Sequence, residues 1–280
     1  YPLPPSLGTN PLLAIDRIRN PQTIDRFIGA TKLTWTALTN LVLDYTIGID
    51  NTSFEQRQFV PRNAVLGTAP LATGRSQSIL QGTRVINQDG VASYTWAPLG
   101  DIELRSTGGF NFTSQRVRTT VAIANGLAPV GELVSAGSIF NAGQSEVELR
   151  TLGFYGQQEV AWRDRLFLTG AVRYDASSTF APSERWQVFP KLSAAYVANN
   201  LRLRSAIGWA GSQPGIVNAY SQFITYRQSP FAGRPGFVND SVFGNPELKN
   251  ERAREWEIGA DAGFLDGRLG VEATYYDRLV

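Results

Sequence analysis

The chain has 280 residues, of which 42% are hydrophobic and 11% aromatic, and its 26 Lys and Arg nearly balance its 24 Asp and Glu. This composition excludes a disordered chain, and the scattered basic residues do not predict a nucleic-acid partner. The absence of cysteine excludes disulfides and thiolate metal sites, and the absence of histidine removes the commonest general base and metal ligand, so we expect no cofactor and no metal.

The chain also lacks methionine and begins with Tyr1, so we interpret it as an internal segment of a longer polypeptide. Apolar runs are short, and TVAIA at 120–124 is typical of the longest. A transmembrane helix needs roughly 20 consecutive apolar residues. If the protein spans a membrane, we therefore expect it to do so with strands.

Apolar and polar residues alternate in successive segments of the chain. In 41–50, Leu41, Leu43, Tyr45, Ile47 and Ile49 share one face, and mostly polar residues occupy the other. The segments 201–209, 255–264 and 268–276 repeat this period of two, which is typical of strands with one apolar and one polar face. We predict ten strands, near 26–35, 40–50, 81–96, 101–117, 146–162, 165–176, 186–198, 201–210, 251–264 and 268–280.

Short and long connections alternate between these strands. The short ones lie at Thr36–Asn40, Ala97–Asp101, Arg163-Asp164, Asn199-Asn200 and Asp266-Gly267. Asn-Asn and Asp-Gly suit the positive φ angles of tight hairpin turns. The long connections carry Gly and Pro and lie near 51–80, 118–145, 177–185 and 211–250. Transmembrane barrels have tight turns at one end and long loops at the other, which favours a barrel.

Strand length and tryptophan placement also favour a membrane barrel over a soluble sandwich. Segments such as 146–162 reach or exceed the roughly 9–11 residues of a tilted transmembrane strand, whereas the strands of soluble sandwiches usually have about 5–6 residues. All six tryptophans lie at or near a predicted strand end, as in interfacial girdles: Trp35, Trp96, Trp162, Trp186, Trp209 and Trp256. We predict an all-β antiparallel meander in which consecutive strands are neighbours.

The alternation assigns residues to the two faces of this barrel. Those expected to point outward to lipid are Leu201, Leu203, Ile207, Trp209, Trp256, Ile258, Phe264, Leu269, Val271 and Tyr275. Those expected to line the lumen are Arg173, Arg202, Arg204, Glu255, Glu257, Asp261 and Glu272. Two interpretations stay open for the charged set: it pairs internally or with a plug domain, or it only keeps a wet lumen polar.

Three motifs carry a resemblance to the SusC/RagA-type TonB-linked outer-membrane proteins. That family has a strand ending in Arg-x-Asp-Gly-Ser-Ser-x-Phe, then a Trp and a Phe-Pro-x-x-Ser strand. The matching residues are Arg173, Asp175, Ser177, Ser178, Phe180, Trp186, Phe189, Pro190 and Ser193, with Ala176 in place of the usual Gly. The segment LRLRSAIGWAGSQPG at 201–215 is similar to a further family strand, with Ser212 in place of Asn. NPELKNERAREWEIG, which begins at Asn245, resembles the family's Asn-Pro-x-Leu-Lys-x-Glu segment.

The resemblance implies that residues 1–280 are one partial TonB-dependent receptor β-barrel domain, truncated at both ends. The whole barrel would have about 22 strands, and its plug domain is not included. The implied function is active import of large nutrients, such as oligosaccharides or peptides, across the bacterial outer membrane. The implied partners are outer-membrane lipid, the nutrient ligand, the TonB complex through the missing plug, and often a SusD-like surface lipoprotein.

The longest predicted loop, near 211–250, holds the substrate-binding candidates. They are Tyr220, Phe223, Tyr226, Phe231 and Phe237, because exposed aromatic rings offer stacking faces to sugars and apolar ligands. Two alternatives stay open. The rings pack with one another to give the loop its own small core, or they contact a lipoprotein lid.

Other functions share parts of this pattern. A passive porin or a siderophore receptor would have the same strands, and an adhesin or soluble carbohydrate-binding domain would have a polar outer face. Glu255 and Glu257 lie two residues apart, and paired carboxylates hydrolyse glycosides in other proteins. The same spacing is natural for lumen-lining residues and nothing else supports catalysis, so we expect no enzyme.

Overall fold

The computed structural model describes residues 17–62, 64–66, 69–71, 73–213, 226–228, 237–239, 245, 247–265 and 268–280. Ten long strands dominate: β1 (Gln22–Leu38), β2 (Leu41–Val60), β5 (Arg75–Leu99), β6 (Ile102–Asn125), β7 (Ile139–Trp162), β8 (Leu166–Ser177), β9 (Trp186–Ala198), β10 (Leu201–Ser212), β13 (Glu251–Phe264) and β14 (Leu269–Leu279). Two short hairpins, β3 (Ala64–Leu66) with β4 (Ala69–Leu71) and β11 (Tyr226–Gln228) with β12 (Phe237–Asn239), and the 3-10 helix Val134–Ala136 complete the fold. Within the described residues, no helix is long and apolar enough to cross a membrane.

The ten long strands form one open sheet in the order β1-β2-β5-β6-β7-β8-β9-β10-β13-β14. The short hairpins form two separate two-stranded sheets. Where the register is described, from β7 to β14, each neighbouring pair is antiparallel. Each long strand follows its predecessor among the long strands, so the predicted all-β meander of ten strands is confirmed.

Tight turns join several strands, as predicted. Arg163 and Asp164 both have positive φ, at 52° and 54°, and Asn199 has a φ of 54°. The first connection is narrower than predicted, because β1 ends at Leu38 and β2 begins at Leu41. The pair Asp266-Gly267 lies outside the described residues, but the neighbouring Leu265 has a φ of 54° and its carbonyl accepts from the amide of Arg268 at 3.1 Å.

Two connections are much shorter in the structure than the loops predicted for them. Much of 51–80 and 118–145 is strand, because β2 and β6 continue to Val60 and Asn125 and β5 and β7 begin at Arg75 and Ile139. The extension of β2 is mostly polar on both faces, and the extension of β6 ends in the apolar run TVAIA at 120–124, so the main-chain ladder continues where regular alternation has ended.

The contacts divide the chain into two compact units. The first unit comprises residues 1–29, 49–85 and 115–148. Inside it, the segment after β6 folds back on the start of β5: Leu127 N donates to Thr73 O at 2.8 Å, and Ser76 Oγ donates to Glu132 O at 2.8 Å. Leu127 is 1% exposed and Val60 is fully buried, so this segment has a small core of its own.

The second unit comprises residues 30–48, 86–114 and 149–280. Its buried residues cluster where β8 ends, with Phe180 at 2% and Thr179 at 1% exposure. Most large apolar side chains of its strands are instead exposed, as a single sheet offers no second layer to pack against. The candidate site lies in this unit.

Candidate functional site

The register of β10, β13 and β14 sets two chemically distinct faces. Arg202 lies opposite Asp261, which lies opposite Glu272, so these three charged residues form a row across three strands. Leu203 lies opposite Ala260, and Ile207 opposite Trp256, on the other face. The pairings through β9 and β8 extend the same alternation, and Arg173 shares the face of Arg202. All seven charged residues predicted for the lumen thus share one polar face, while their role in lining a channel remains a proposal.

Arg204 connects three strands on the polar face. Its Nε lies 3.4 Å from Asp261 Oδ2, and its Nη2 donates to Thr274 Oγ1 at 2.7 Å. The guanidinium lies flat over Gly259, where an added Cβ would be 2.9 Å from Arg204 Cζ. The absence of a side chain at Gly259 therefore gives this arginine the space to reach across two neighbouring strands.

Arg173 has an equivalent arrangement on β8. Its Nε donates to Asp175 Oδ2 at 2.8 Å, and its guanidinium lies 6.0 Å from the ring centre of Tyr155 on β7. A Cβ added at Gly153 would overlap both the guanidinium and the Asp175 carboxylate. The polar face thus carries arginines that lie along the sheet, each over a glycine.

The predicted charge pairing occurs for part of the set. Arg204 pairs with Asp261, although Arg202 is the residue directly opposite that carboxylate. Glu255 lies 4.0 Å from Arg278, which was not among the predicted residues. Arg202, Glu257 and Glu272 have no ion pair within the part of the chain that the structure describes. Internal pairing is therefore observed for part of the set, and pairing with a plug domain or a purely polar role in a wet lumen stays a prediction for the rest.

A cavity of about 250 Å³ opens on the polar face where β8 ends and β9 begins. Its polar lining combines two arginines, one carboxylate, two hydroxyls and four amides: Arg173, Arg185, Asp175, Thr151, Ser177, Asn111, Gln187, Gln213 and Asn250. Arg173, Asp175, Ser177 and Phe180 were flagged in the sequence by their motif. The four amides were missed, because they come from separate elements and carry no local sequence signal.

Hydrogen bonds fix the segment between β8 and β9 that forms one wall of the cavity. Ser177 Oγ and Thr179 Oγ1 are 2.9 Å apart, and Phe180 N donates to Ser177 O at 3.3 Å. Gln187 Nε2 donates to Glu184 O at 2.8 Å. With Phe180 almost fully buried, this connection is a folded corner rather than an open loop.

The predicted aromatic substrate site is only partly described. Tyr220, Phe223 and Phe231 lie outside the described residues. Tyr226 and Phe237 belong to β11 and β12, where Tyr226 lies opposite Asn239 and Phe237 opposite Gln228. The predicted loop therefore contains a hairpin that sequence analysis missed. In the described residues, no group of three or more Asp and Glu is arranged to hold a metal ion.

The family model for the TonB dependent receptor-like β-barrel matches residues 3–279. The chain is 29% identical over 143 residues to the TonB-dependent receptor SusC of Bacteroides thetaiotaomicron, covering 44% of this chain and 14% of that protein. It is 21% identical over 300 residues to the TonB-dependent receptor P26 of Formosa agariphila, covering 96% of this chain and 29% of that protein. The chain thus spans less than a third of the length of these curated relatives.

Solved structures share the fold. The RagAB peptide transporter matches with a TM-score of 0.84 at 19% identity, covering 96% of this chain and 31% of that chain. The ferric-catecholate import receptor Fiu of E. coli matches with a TM-score of 0.56 at 13% identity, covering 93% of this chain and 41% of that chain.

Proposed function

Since the chain belongs to the TonB dependent receptor-like β-barrel family, we propose that it is the middle and later wall of an outer-membrane active transporter for large nutrients. The family comprises receptors and transporters rather than enzymes. The proposal extends to the whole protein, including its location in the bacterial outer membrane, its plug domain and its substrates.

The observation that carries the proposal is the exposed apolar face of β7 to β14. On this face Leu203 is 47% exposed, Ile258 54% and Val271 49%. In water, such a large contiguous apolar surface is unfavourable, whereas in a bilayer it meets lipid tails. The opposite face of the same strands carries Arg, Glu and Asp, as a water-filled lumen requires.

Aromatic side chains at both ends of the strands support the same orientation. Trp35, Trp96 and Trp162 lie toward the ends joined by tight turns, and Trp186, Trp209 and Trp256 lie toward the other ends. On the apolar face, Tyr174 stacks on Trp186 with ring centres 4.5 Å apart, and Trp256 lies 5.5 Å from Tyr275. Two girdles of Trp and Tyr are typical of the two interfaces of a membrane barrel.

We further propose that the imported nutrient is an oligosaccharide or a peptide. The relative SusC and the peptide transporter RagAB favour this class over a siderophore. A SusD-like lipoprotein would cover the outer loops, and the TonB complex would act through the plug. The aromatic residues of the loop near 211–250 would contact the nutrient or that lipoprotein.

Energy coupling tests the proposed function. In the native host, deletion of the full-length gene should abolish uptake of the nutrient, and loss of TonB function should abolish it equally. Growth on candidate oligosaccharides or peptides as sole carbon source, with and without TonB, is the measurement. Uptake that persists without TonB would identify a passive porin. A growth defect restricted to iron limitation would identify a siderophore receptor.

The loop is tested separately in the full-length protein. Replacing residues 226–239 with a short Gly-Ser linker removes the β11–β12 hairpin and should reduce uptake while the barrel still inserts, as judged by heat-modifiable gel mobility. Unchanged uptake together with unchanged lipoprotein binding would mean that the loop is scaffold.

A further inference from the structure

Three arginines line one groove in the first compact unit. Arg84 on β5 and Arg116 and Arg118 on β6 are all exposed, and their groove between β2, β5 and β6 has a volume of about 360 Å³. Two glutamates on β7 hold part of this cluster. Arg116 Nη2 lies 3.2 Å from Glu148 Oε2, and Arg118 Nη2 lies 2.8 Å from Glu146 Oε2. Arg84 has no ion pair among the residues that the structure describes, so the cluster keeps an excess of positive charge.

The three arginines lie on the side of the sheet opposite to the polar face. On β6, Asn111 lines the cavity of the polar face, so Arg116 and Arg118 lie on the other face. No bulge interrupts this alternation, because the contacts of Ser106 with Gln158 and of Arg116 with Glu148 are equal steps apart along β6 and β7. Arg84 lines the same groove as the other two arginines and therefore shares their face.

The apolar part of this face ends where the cluster begins. On β2 it ends at Ile49, and the next two residues of the face, Asn51 and Ser53, are polar and line the groove. On β5, about twelve residues separate Arg84 from Trp96 near the tight turn. At a rise of about 3.3 Å per residue and a tilt of about 40°, such a stretch spans about 30 Å along the barrel axis, which exceeds an apolar band of about 25 Å. The arginines therefore lie at the level of lipid headgroups, toward the long loops.

The chemistry of the groove fits a phosphorylated sugar. A guanidinium donates two parallel hydrogen bonds to phosphate oxygens. The glutamates hold Arg116 and Arg118 in place along the sheet, so less side-chain entropy is lost when an anion binds. Asn51, Ser53 and Thr120 add an amide and two hydroxyls, which can bond to the hydroxyls of a sugar.

We propose that the cluster of Arg84, Arg116 and Arg118 binds the phosphorylated headgroup of a glycolipid of the lipid A type in the outer leaflet around the barrel. The arginines donate to its phosphates while its acyl chains lie along the apolar face below Ile49, so one lipid molecule contacts both surfaces. This inference rests on the proposed function and deepens it, since it gives the outward face of the barrel a specific lipid partner.

Lipid binding by the full-length receptor in a neutral detergent tests the cluster. Native mass spectrometry follows titration with bisphosphorylated lipid A, with the same lipid after removal of its phosphates, and with lipid A in excess inorganic phosphate. Arg84→Gln breaks no ion pair among the described residues, and adding Arg118→Gln leaves Glu146 in contact with Arg116 at 3.5 Å. We expect the Kd for lipid A to rise about fivefold in the single variant and about twentyfold in the double variant, as each arginine near an anionic surface contributes about fivefold.

Arg202→Gln is the matched control, because Arg202 also has no ion pair in the described part of the chain but lies on the polar face. Its Kd should stay within about twofold of the unsubstituted receptor, since its charge points away from the headgroups. Heat-modifiable mobility checks that all variants are folded.

Three results would overturn the headgroup site. They are an unchanged Kd in both cluster variants, equal affinity for the dephosphorylated lipid, and complete displacement of lipid A by inorganic phosphate, which would identify a site for the free anion. After any of them, nutrient uptake that requires TonB would leave the proposed function standing. Uptake that persists without TonB would overturn that function, whatever lipid the receptor binds.

Discussion

Neighbouring residues of one strand meet opposite surroundings in this sheet. Glu257 lies on the polar face, opposite Ala206 and Tyr276, while the adjacent Ile258 is 54% exposed on the apolar face. Which face of the sheet a side chain occupies, more than its local contacts, therefore decides how much a substitution lowers the stability of the barrel. Space matters equally on the polar face, where glycines accommodate large neighbouring side chains.

The first residue-scale prediction concerns a charge on the apolar face. Ile258→Arg should destabilise the full-length barrel in phospholipid vesicles by about 2–4 kcal/mol, the cost of an arginine near the bilayer midplane. Denaturant titration of the folded fraction measures it. Glu257→Arg on the adjacent polar position is the control and should cost much less. Equal costs for the two variants would contradict the assignment of the faces.

The second residue-scale prediction concerns close approach. A Cβ at Gly109 would overlap the carbonyl oxygen of Gly90 and the hydroxyl of Tyr155, and the backbone oxygen cannot move aside as a flexible side chain can. Gly109→Ala should destabilise the barrel by about 1–3 kcal/mol through overpacking. Gly156→Ala, with no atom within 4 Å of the new Cβ, is the control and should be neutral or slightly stabilising. The same denaturant titration decides, and a neutral Gly109→Ala would contradict this packing.

At the scale of elements, tight turns keep successive strands in register. Between β9 and β10, Asn199 takes a φ of 54°, and Asn200 Nδ2 donates to Gly263 O at 2.6 Å on β13. Register matters because a slip of one residue would exchange the apolar and polar faces of a whole strand. The turn thus supports the separation of faces on which the proposed function depends.

The element-scale prediction tests this turn. Asn199→Val places a β-branched side chain at positive φ and should destabilise the barrel by about 1–2 kcal/mol, whereas Asn199→Gly should be tolerated. Refolding yield into detergent micelles and the midpoint of denaturant unfolding are the measurements. If valine and glycine behaved alike, the turn would not have the left-handed conformation described here.

At the scale of the whole molecule, we expect from the sheet order and the alternation of faces that one side of the sheet meets lipid and the other meets water. The chain contains no cysteine, so single cysteines can be introduced for labelling in this region. Leu203 and Arg202 are adjacent residues on opposite faces and make a matched pair.

The whole-molecule prediction uses spin labels at Leu203→Cys and Arg202→Cys in the full-length receptor in bilayers. The label at 203 should be relaxed by oxygen, which concentrates in lipid. The label at 202 should be relaxed by a water-soluble nickel chelate, which lipid excludes. Accessibility measured by power-saturation electron paramagnetic resonance provides the result. Oxygen relaxation at 202 in place of 203 would invert the faces and contradict the barrel orientation.

Periodicity by itself determined the ten strands, their antiparallel order and the polar face that holds Arg202, Asp261 and Glu272, because alternation is a local property of the chain. It did not predict how far β2 and β6 extend, since the end of β2 is mostly polar on both faces and the end of β6 is an apolar run without alternation, and only pairing with the neighbouring strands reveals them. The pairing of Arg204 with Asp261 and the cavity with its four amides depend on side chains from strands distant in sequence. Sequence periodicity fixes which face a residue occupies, but the stagger between strands decides which residues meet there, and that stagger exists only in the folded sheet.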